Sequence, residues 1–162
     1  DLDAETIVMS EKAKKLGKKL ILPVDAVCAD HFPEPINDPK IKTKTFAVDK
    51  ISKNYGGYDA GPETIKQILT YMRKAKTILW NGPVGLFENQ KFAVGTYCIA
   101  KQLSLLTKEG VVTIVGGGDS ASAVNQFKLS DKVTHVSTGG GATLEFLKGE
   151  PLPGIECLTD KK

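Results

Sequence analysis

The sequence predicts an α/β fold: parallel strands in a three-layer, Rossmann-like arrangement with helices on both faces. Two observations carry that reading. Short apolar runs bounded by glycine alternate with helix-like segments, the pattern of βαβ units around a parallel sheet. Two of those runs open into a glycine triplet followed by a helix: TIVGGGDSASAV, Thr113 to Val124, and THVSTGGGATLEFL, Thr134 to Leu147. Neither carries the lysine of a P-loop, and no periodic repeat or low-complexity linker interrupts the chain.

Taken in order, AETIVMSEKAKKLG predicts a helix stopped by Gly17. KLILPV (19–24) predicts a mostly buried strand, and DHFPEPINDPK, with three prolines, a loop. TKTFAVD predicts a short strand at a sheet edge. DAGPETIKQILTYMRKA is the clearest helix, with Pro62 as its first residue and Glu63 on the positive end of its dipole. Ile65, Ile68, Leu69 and Met72 form one apolar stripe, and Arg73, Lys74 and Lys76 close the negative end. TILW predicts a strand broken by NGPVGLFE, and a helix follows over about 92–106, with Gly110 near its stop. VVTIV reads as a strand covered on both faces; SASAVNQF, THVS and ATLEFL follow as helix, strand and helix. The tail KGEPLPGIECLTDKK sets Leu152, Ile155 and Leu158 among Pro and Gly with no partner in the pattern, so it is expected to dock on another body.

Composition narrows the function. The 162 residues are 41% hydrophobic and 25% charged, an ordinary globular mixture able to bury a core. The balance of 22 basic against 19 acidic residues is too mild to argue for nucleic acid. The basic cluster Lys12, Lys14, Lys15, Lys18 and Lys19 reads as a solvated helix end, without the aromatics of a single-strand platform. Three widely spaced cysteines, Cys28, Cys98 and Cys157, make neither a disulfide framework nor a zinc pattern, and a reduced, cytoplasmic compartment fits them. No apolar run would span a bilayer, and DLDAETIVMS has no signal-peptide character; lacking Met, it hints at a fragment.

In open parallel sheets ligands bind beyond the carboxyl ends of the strands. Three glycine-rich loops leave such ends: NGPVGLFE, GGGDSA and STGGGA. Glycine lets backbone amides approach an anion, and the following helix N-terminus favours negative charge. Asp119 could reach a Mg²⁺ that also touches phosphates, or could cap the helix it opens; both roles remain open from the residues alone. Glu88 could accept from a ribose hydroxyl, or be a surface acid before a helix. His31 and His135 are isolated, no nucleophile elbow or Cys–His pair is visible, and the dinucleotide fingerprint is absent.

WNGPVGLFE (80–88), IVGGGDSAS (114–122) and VSTGGGATLEFLKGEPLPG (136–154), with LPVD (22–25) and DAGPET (59–64), resemble phosphoglycerate kinase along essentially the whole chain. The resemblance implies the later part of a C-terminal nucleotide-binding domain. Its leading strands would be absent, residues 1–149 would form a partial domain, and 150–162 a tail docking on an N-terminal domain. It implies transfer of phosphate from 1,3-bisphosphoglycerate to Mg-ADP, giving 3-phosphoglycerate and ATP, with Mg²⁺ as cofactor and without nucleic acid or membrane partners. The full enzyme is expected to be monomeric. Asn81, Gly82 and Pro83 match positions lining the nucleotide phosphates; Leu86 matches an apolar residue on the adenine or ribose, and Glu88 the ribose acid. Gly57 and Tyr58 match an adenine-side loop, where Tyr58 replaces a smaller aliphatic residue. Asp119 matches the Mg²⁺ ligand, Gly118 an amide near the transferring group, and Ser120 a Thr whose backbone and hydroxyl face the phosphates. Gly139, Gly140 and Gly141 match a helix N-terminus that meets the transferred phosphoryl. The family's substrate arginines and nucleotide lysines have no counterpart here, so the chain alone is expected to be inactive. A noncatalytic complementation fragment and an unrelated mononucleotide-binding regulator stay open as alternatives.

Overall fold

A computed structural model describes residues 2–159. In chain order it contains α1 (Leu2–Lys15), β1 (Asp25–Ala29), β2 (Lys44–Ala47), β3 (Gly56–Ala60), α2 (Pro62–Met72) and β4 (Thr77–Asn81). There follow α3 (Val94–Lys108), β5 (Val112–Gly116), α4 (Gly118–Gln126), β6 (His135–Ser137), α5 (Gly140–Lys148) and α6 (Pro153–Glu156). The strands make two sheets. One is parallel, in the order β4-β5-β6, with Trp80, Val115 and Val136 in register across it. The other is antiparallel, in the order β2-β1-β3.

The parallel sheet flanked by helices is the expected α/β core, with few strands. Its connections are β4-α3-β5 and β5-α4-β6, and both step the same way across the sheet. Right-handed crossovers of that kind put their helices on one face, and α3 and α4 do touch each other and β5. Beneath them Thr113 and Val115 are fully buried, whereas Ile114, pointing the other way, is half-buried and Val112 is 42% exposed. The expected two-sided cover of this strand is therefore corrected among the described residues: one face is closed.

Helix α3 joins the two sheets, because it also packs on α2 and β3. Its Ile99, Ala100, Leu103 and Leu106 meet Trp80, Phe87, Val115, Ala123 and Val124 in the main core. A smaller core of Ala29, Ile41 and Phe92, lined by Val27, Tyr58 and Leu86, lies against the antiparallel sheet. Each large apolar side chain buried here stabilises the fold by about 1.5–3 kcal/mol before entropy is charged.

Two sequence expectations move. KLILPV is not a strand; pairing begins at Asp25, because Pro23 cannot donate to a ladder and Leu20 and Leu22 stay exposed. GGYDA, expected as loop and helix start, is strand β3: its ladder to β1 overrides the low strand propensity of Gly and Asp. Elsewhere α1 ends before Gly17 (φ 62°), β2 is an edge strand, and α2 starts at Pro62, as the residues dictate. In the tail Leu152 is half-buried while Ile155 and Leu158 are exposed; residues 160–162 lie outside the described part.

The start of α2 is capped from a distance. Its N-cap is Gly61, which has no side chain to offer. Asp25 supplies the oxygens instead, accepting from the Thr64 amide (2.8 Å), the Glu63 amide (3.1 Å) and the Thr64 hydroxyl (2.7 Å). A Cβ at Gly61 would overlap that carboxylate, so the cap requires glycine there. Burial raises the Asp25 carboxyl, but the Thr64 and Glu63 donors outweigh it and hold the group below its ordinary 3.8.

Asp25→Ala is expected to lower stability by about 2–3 kcal/mol, since it strips the helix cap and leaves buried donors unpaired. Because the folded value is depressed, the contribution is present above the ordinary 3.8 and lost as pH falls through the folded value. Urea unfolding of both proteins across that acid range should show their difference shrinking.

Candidate functional site

The carboxyl ends of β4, β5 and β6 converge. Asn81 ends β4, Gly116 and Gly117 leave β5, and Ser137 leads from β6 to Gly139. The Gly117 amide donates to the Ser137 carbonyl at 3.0 Å, continuing the ladder one residue past β5. Gly117 has φ 92°, which turns the chain directly into α4 and is costly for any residue with a Cβ. The two triplets meet here. A Cβ on Gly140 would come within 2.8 Å of the Gly117 Cα and 2.9 Å of the Asn81 side-chain oxygen. Thus the glycines are required by backbone-to-backbone contact as well as by turn geometry.

Around that contact, the first turns of α4 and α5 present amides that helix geometry leaves without carbonyl partners: Gly118, Asp119 and Ser120 on one, Gly141 and Ala142 on the other. Two positive helix ends face a shared space, which suits an anion of high charge. The Asp119 carboxylate is exposed and has no hydrogen-bond partner among the described residues; Gly117 is the N-cap, with no side-chain cap bond. Of the two roles left open, capping is not the one the carboxylate performs. A free hard-oxygen donor beside two helix N-termini has the chemistry of a divalent-cation ligand. No group of three or more acidic, His or Cys residues accompanies it among the described residues, so such an ion would depend on its anion.

The loop after β4 is held rigidly. The Trp80 indole donates to the Gly82 carbonyl (2.7 Å) and the Gly82 amide donates to the Ser120 hydroxyl (2.7 Å). Ser120 is fully buried, and its hydroxyl fixes this loop. The Val84 amide donates to the buried Thr96 hydroxyl (3.2 Å), and the Leu86 amide to the Tyr58 carbonyl (2.9 Å), which sews the loop to β3.

That seam forms one wall of an open groove of about 380 Å³. Gly57, Tyr58, Pro83 and Leu86 line it together with Asp59 and Val84. The expected adenine-side loop is thus strand β3, and Tyr58 lays its ring against Phe92 and Phe32 (centroids 5.3 and 5.7 Å). Glu88 does not join this groove. It is exposed and opens into a neighbouring cavity of about 300 Å³ with Asn37, Asn89, Lys91 and Gln126.

The predicted residues therefore fall into three groups: the strand-end cluster of Asn81, Gly82, Gly118, Asp119, Ser120 and Gly139–Gly141; the groove; and Glu88. Gly117, Ser137, Trp80 and Thr96, which hold the turns, join the site only in the fold, as does Asp59, which reads in the sequence as part of a helix start. The middle glycine of the first triplet was the available signal for Gly117.

The model of the family described as phosphoglycerate kinase matches residues 3–150. The chain belongs to the phosphoglycerate kinase family. It is 49% identical over 153 residues to the phosphoglycerate kinase of Fervidobacterium nodosum, covering 94% of this chain and 37% of that one. Against the cytosolic phosphoglycerate kinase of Nicotiana tabacum it is 47% identical over 159 residues, covering 98% and 38%. The solved phosphoglycerate kinase of Coxiella burnetii superposes with a TM-score of 0.82 at 39% identity, over 96% of this chain and 38% of that one. The chain thus spans a little over a third of the length of these relatives. Membership removes the alternative of an unrelated regulator. No helix among the described residues is long and apolar enough to cross a membrane.

The Gly117–Gly140 contact yields a paired test. Gly140→Ala is expected to cost about 1–3 kcal/mol through overpacking, whereas Gly141→Ala, with open space at its Cβ, should stay within about 0.5 kcal/mol of the parent. Thermal unfolding of the two variants side by side checks it.

Proposed function

We propose that this chain contributes the nucleotide half of the phosphoglycerate kinase reaction, the reversible movement of a phosphoryl group between 1,3-bisphosphoglycerate and ADP. The observation that supports it most is the Gly117–Gly140 contact beside Asn81, which brings two helix N-termini to one space at the strand ends. In this reading the phosphates of ADP or ATP lie along Asn81, Gly82 and Pro83. The free amides at the start of α4, from Gly118, and at the start of α5, in the turn made by Gly139, Gly140 and Gly141, bracket the group in transit. Phosphoryl transfer asks the protein mainly for position and charge neutralisation, and fixed amide dipoles supply both without reorganising.

Asp119 is the residue that would hold Mg²⁺. When bound, that ion neutralises phosphate charge. The adenine rests in the groove on Gly57, Tyr58 and Leu86, and Glu88, in the neighbouring cavity, meets the ribose. Substrate cations are scarce: Arg73 is the chain's one arginine, at the far end of α2. One missing transition-state arginine can cost on the order of 10³ in rate, so these 162 residues alone are expected to bind but not turn over. Turnover belongs to the assembly with the substrate-binding part of the enzyme, on which the 150–162 tail docks, and the compartment is the cytosol.

Titrating the chain with ADP, with and without Mg²⁺, and following Trp80 fluorescence tests this directly. A saturable, Mg²⁺-dependent change is expected, because the indole is bonded to the phosphate loop. Asp119→Ala should weaken the Mg²⁺-dependent affinity by about 10- to 100-fold. A folded chain, by circular dichroism, that gives no saturable response would overturn the proposal; intact Mg²⁺ dependence in the variant would remove Asp119 from it.

A further inference from the structure

One acidic side chain at the groove has no part in the reading above, on which this inference rests. Asp59 is only 4% exposed, yet it lines the groove beside Tyr58. One of its carboxylate oxygens accepts from the Gly95 amide (2.8 Å), in the first turn of α3, and the other from the Ala60 amide (2.9 Å). Helix α3 has no capping side chain of its own, so Asp59 serves its N-terminus from strand β3. Two glycines make room for it. A Cβ at either Gly85, in the loop after β4, or Gly95 would overlap the carboxylate. Three separate segments are thus shaped around one charged group: β3 carries it, the loop yields to it, and α3 donates to it.

We infer that Asp59 is a positioning residue for the nucleotide: its charged carboxylate ties the start of α3 to β3 beneath the loop at Gly85, and so fixes the groove. Both oxygens are occupied as acceptors. A protonated carboxyl that turned its O–H toward one of those two N–H donors would lose that bond and loosen the start of α3 or the β3 backbone at the groove.

The surroundings do little to hold the charge. From β1 it faces Val27, its register partner; from α2 comes Ile65 and from the loop Val84; α3 brings Gly95 and Cys98. Cys98 is the titratable group on these elements whose thiol responds, raised by burial and then by the Asp59 charge. No Lys or Arg pairs with Asp59 among the described residues. Burial pushes the Asp59 carboxyl up to about 6, against the lowering pull of the Gly95 and Ala60 amides. A folded value above the ordinary 3.8 means that the fold prefers the protonated form. That contribution to stability is full below about 3.8 and lost as pH rises through about 6. Nucleotide binding asks for the opposite form. Stability and affinity therefore run in opposite directions over the same pH interval, which a carboxylate with a purely structural role would not produce.

The test follows the Gly95 and Ala60 amide resonances of the intact chain by ¹H–¹⁵N NMR, with and without saturating Mg-ADP. In the free chain both should titrate with a common midpoint near the value of about 6. Linkage is reciprocal, so a roughly tenfold preference of the nucleotide for charged Asp59 lowers that midpoint by about one pH unit. Asp59→Asn, which can accept from only one amide at a time, should bind Mg-ADP about tenfold more weakly at neutral pH and lose the pH dependence beyond that of the nucleotide itself. A midpoint that stays or rises on saturation overturns the inference while leaving the nucleotide site standing. Absence of Mg-ADP binding at any pH overturns the nucleotide site, and this inference with it.

Discussion

The site depends on two stretches of backbone approaching closer than a methyl group permits. Gly117 and Gly140 touch because Gly140 has no side chain, and a Cβ on Gly117 would instead overlap the Asn81 oxygen, at 2.7 Å, that closes the third side. That contact sets the distance between the N-termini of α4 and α5, and hence whether their amides point at one space or two. Sheet pairing alone could not do this, since β6 is three residues long and its ladder to β5 ends at Gly116 and Ser137. The further bond from the Gly117 amide to the Ser137 carbonyl is what carries register into the turn.

Rigid and free groups are separated around that contact. Ser120, Trp80 and Thr96 spend their polar atoms on the loop after β4, and each is buried. Asp119, one residue from Ser120, spends nothing on the protein. Preorganisation has this form: donors that hold geometry are satisfied internally, while groups meant for a ligand are left to water until it arrives. The Gly118 and Gly141 amides belong to the second class, since helix geometry denies them partners, whereas those of Gly117, Gly139 and Gly140 are bonded within the turns.

Much of this was legible in the sequence, and the residues show why. The α2 stripe and Pro62 are local signals, and the structure follows them. The triplets announced strand–turn–helix units, because glycine at a strand end has few other uses. GGYDA was illegible as a strand because its reason is β1, some thirty residues away, paired through a bulge at Val27 and Cys28. KLILPV misled because an apolar run states that burial would be favourable without stating by what. Within the site, the glycine-rich turns at the strand ends could be read from motifs, but the positions holding them could not. Asp25 and Asp59 look alike as letters, and only tertiary contact distinguishes a helix cap from a groove brace.

Those two carboxylates also show how environment decides charge. Both are buried, both accept backbone amides at a helix start, and both force glycine at neighbouring positions. Yet Asp25 lies below its ordinary value and Asp59 well above it. The difference is the donor count set against desolvation. Asp25 draws two amides and the Thr64 hydroxyl, enough to outweigh burial, whereas Asp59 has two amides and a deeper position between α3 and β3. A fold selected only for stability would be expected to add a donor to Asp59 or replace it with an apolar residue, because an uncompensated buried charge is costly. Its place at the groove fits a group whose charge positions the elements that line it.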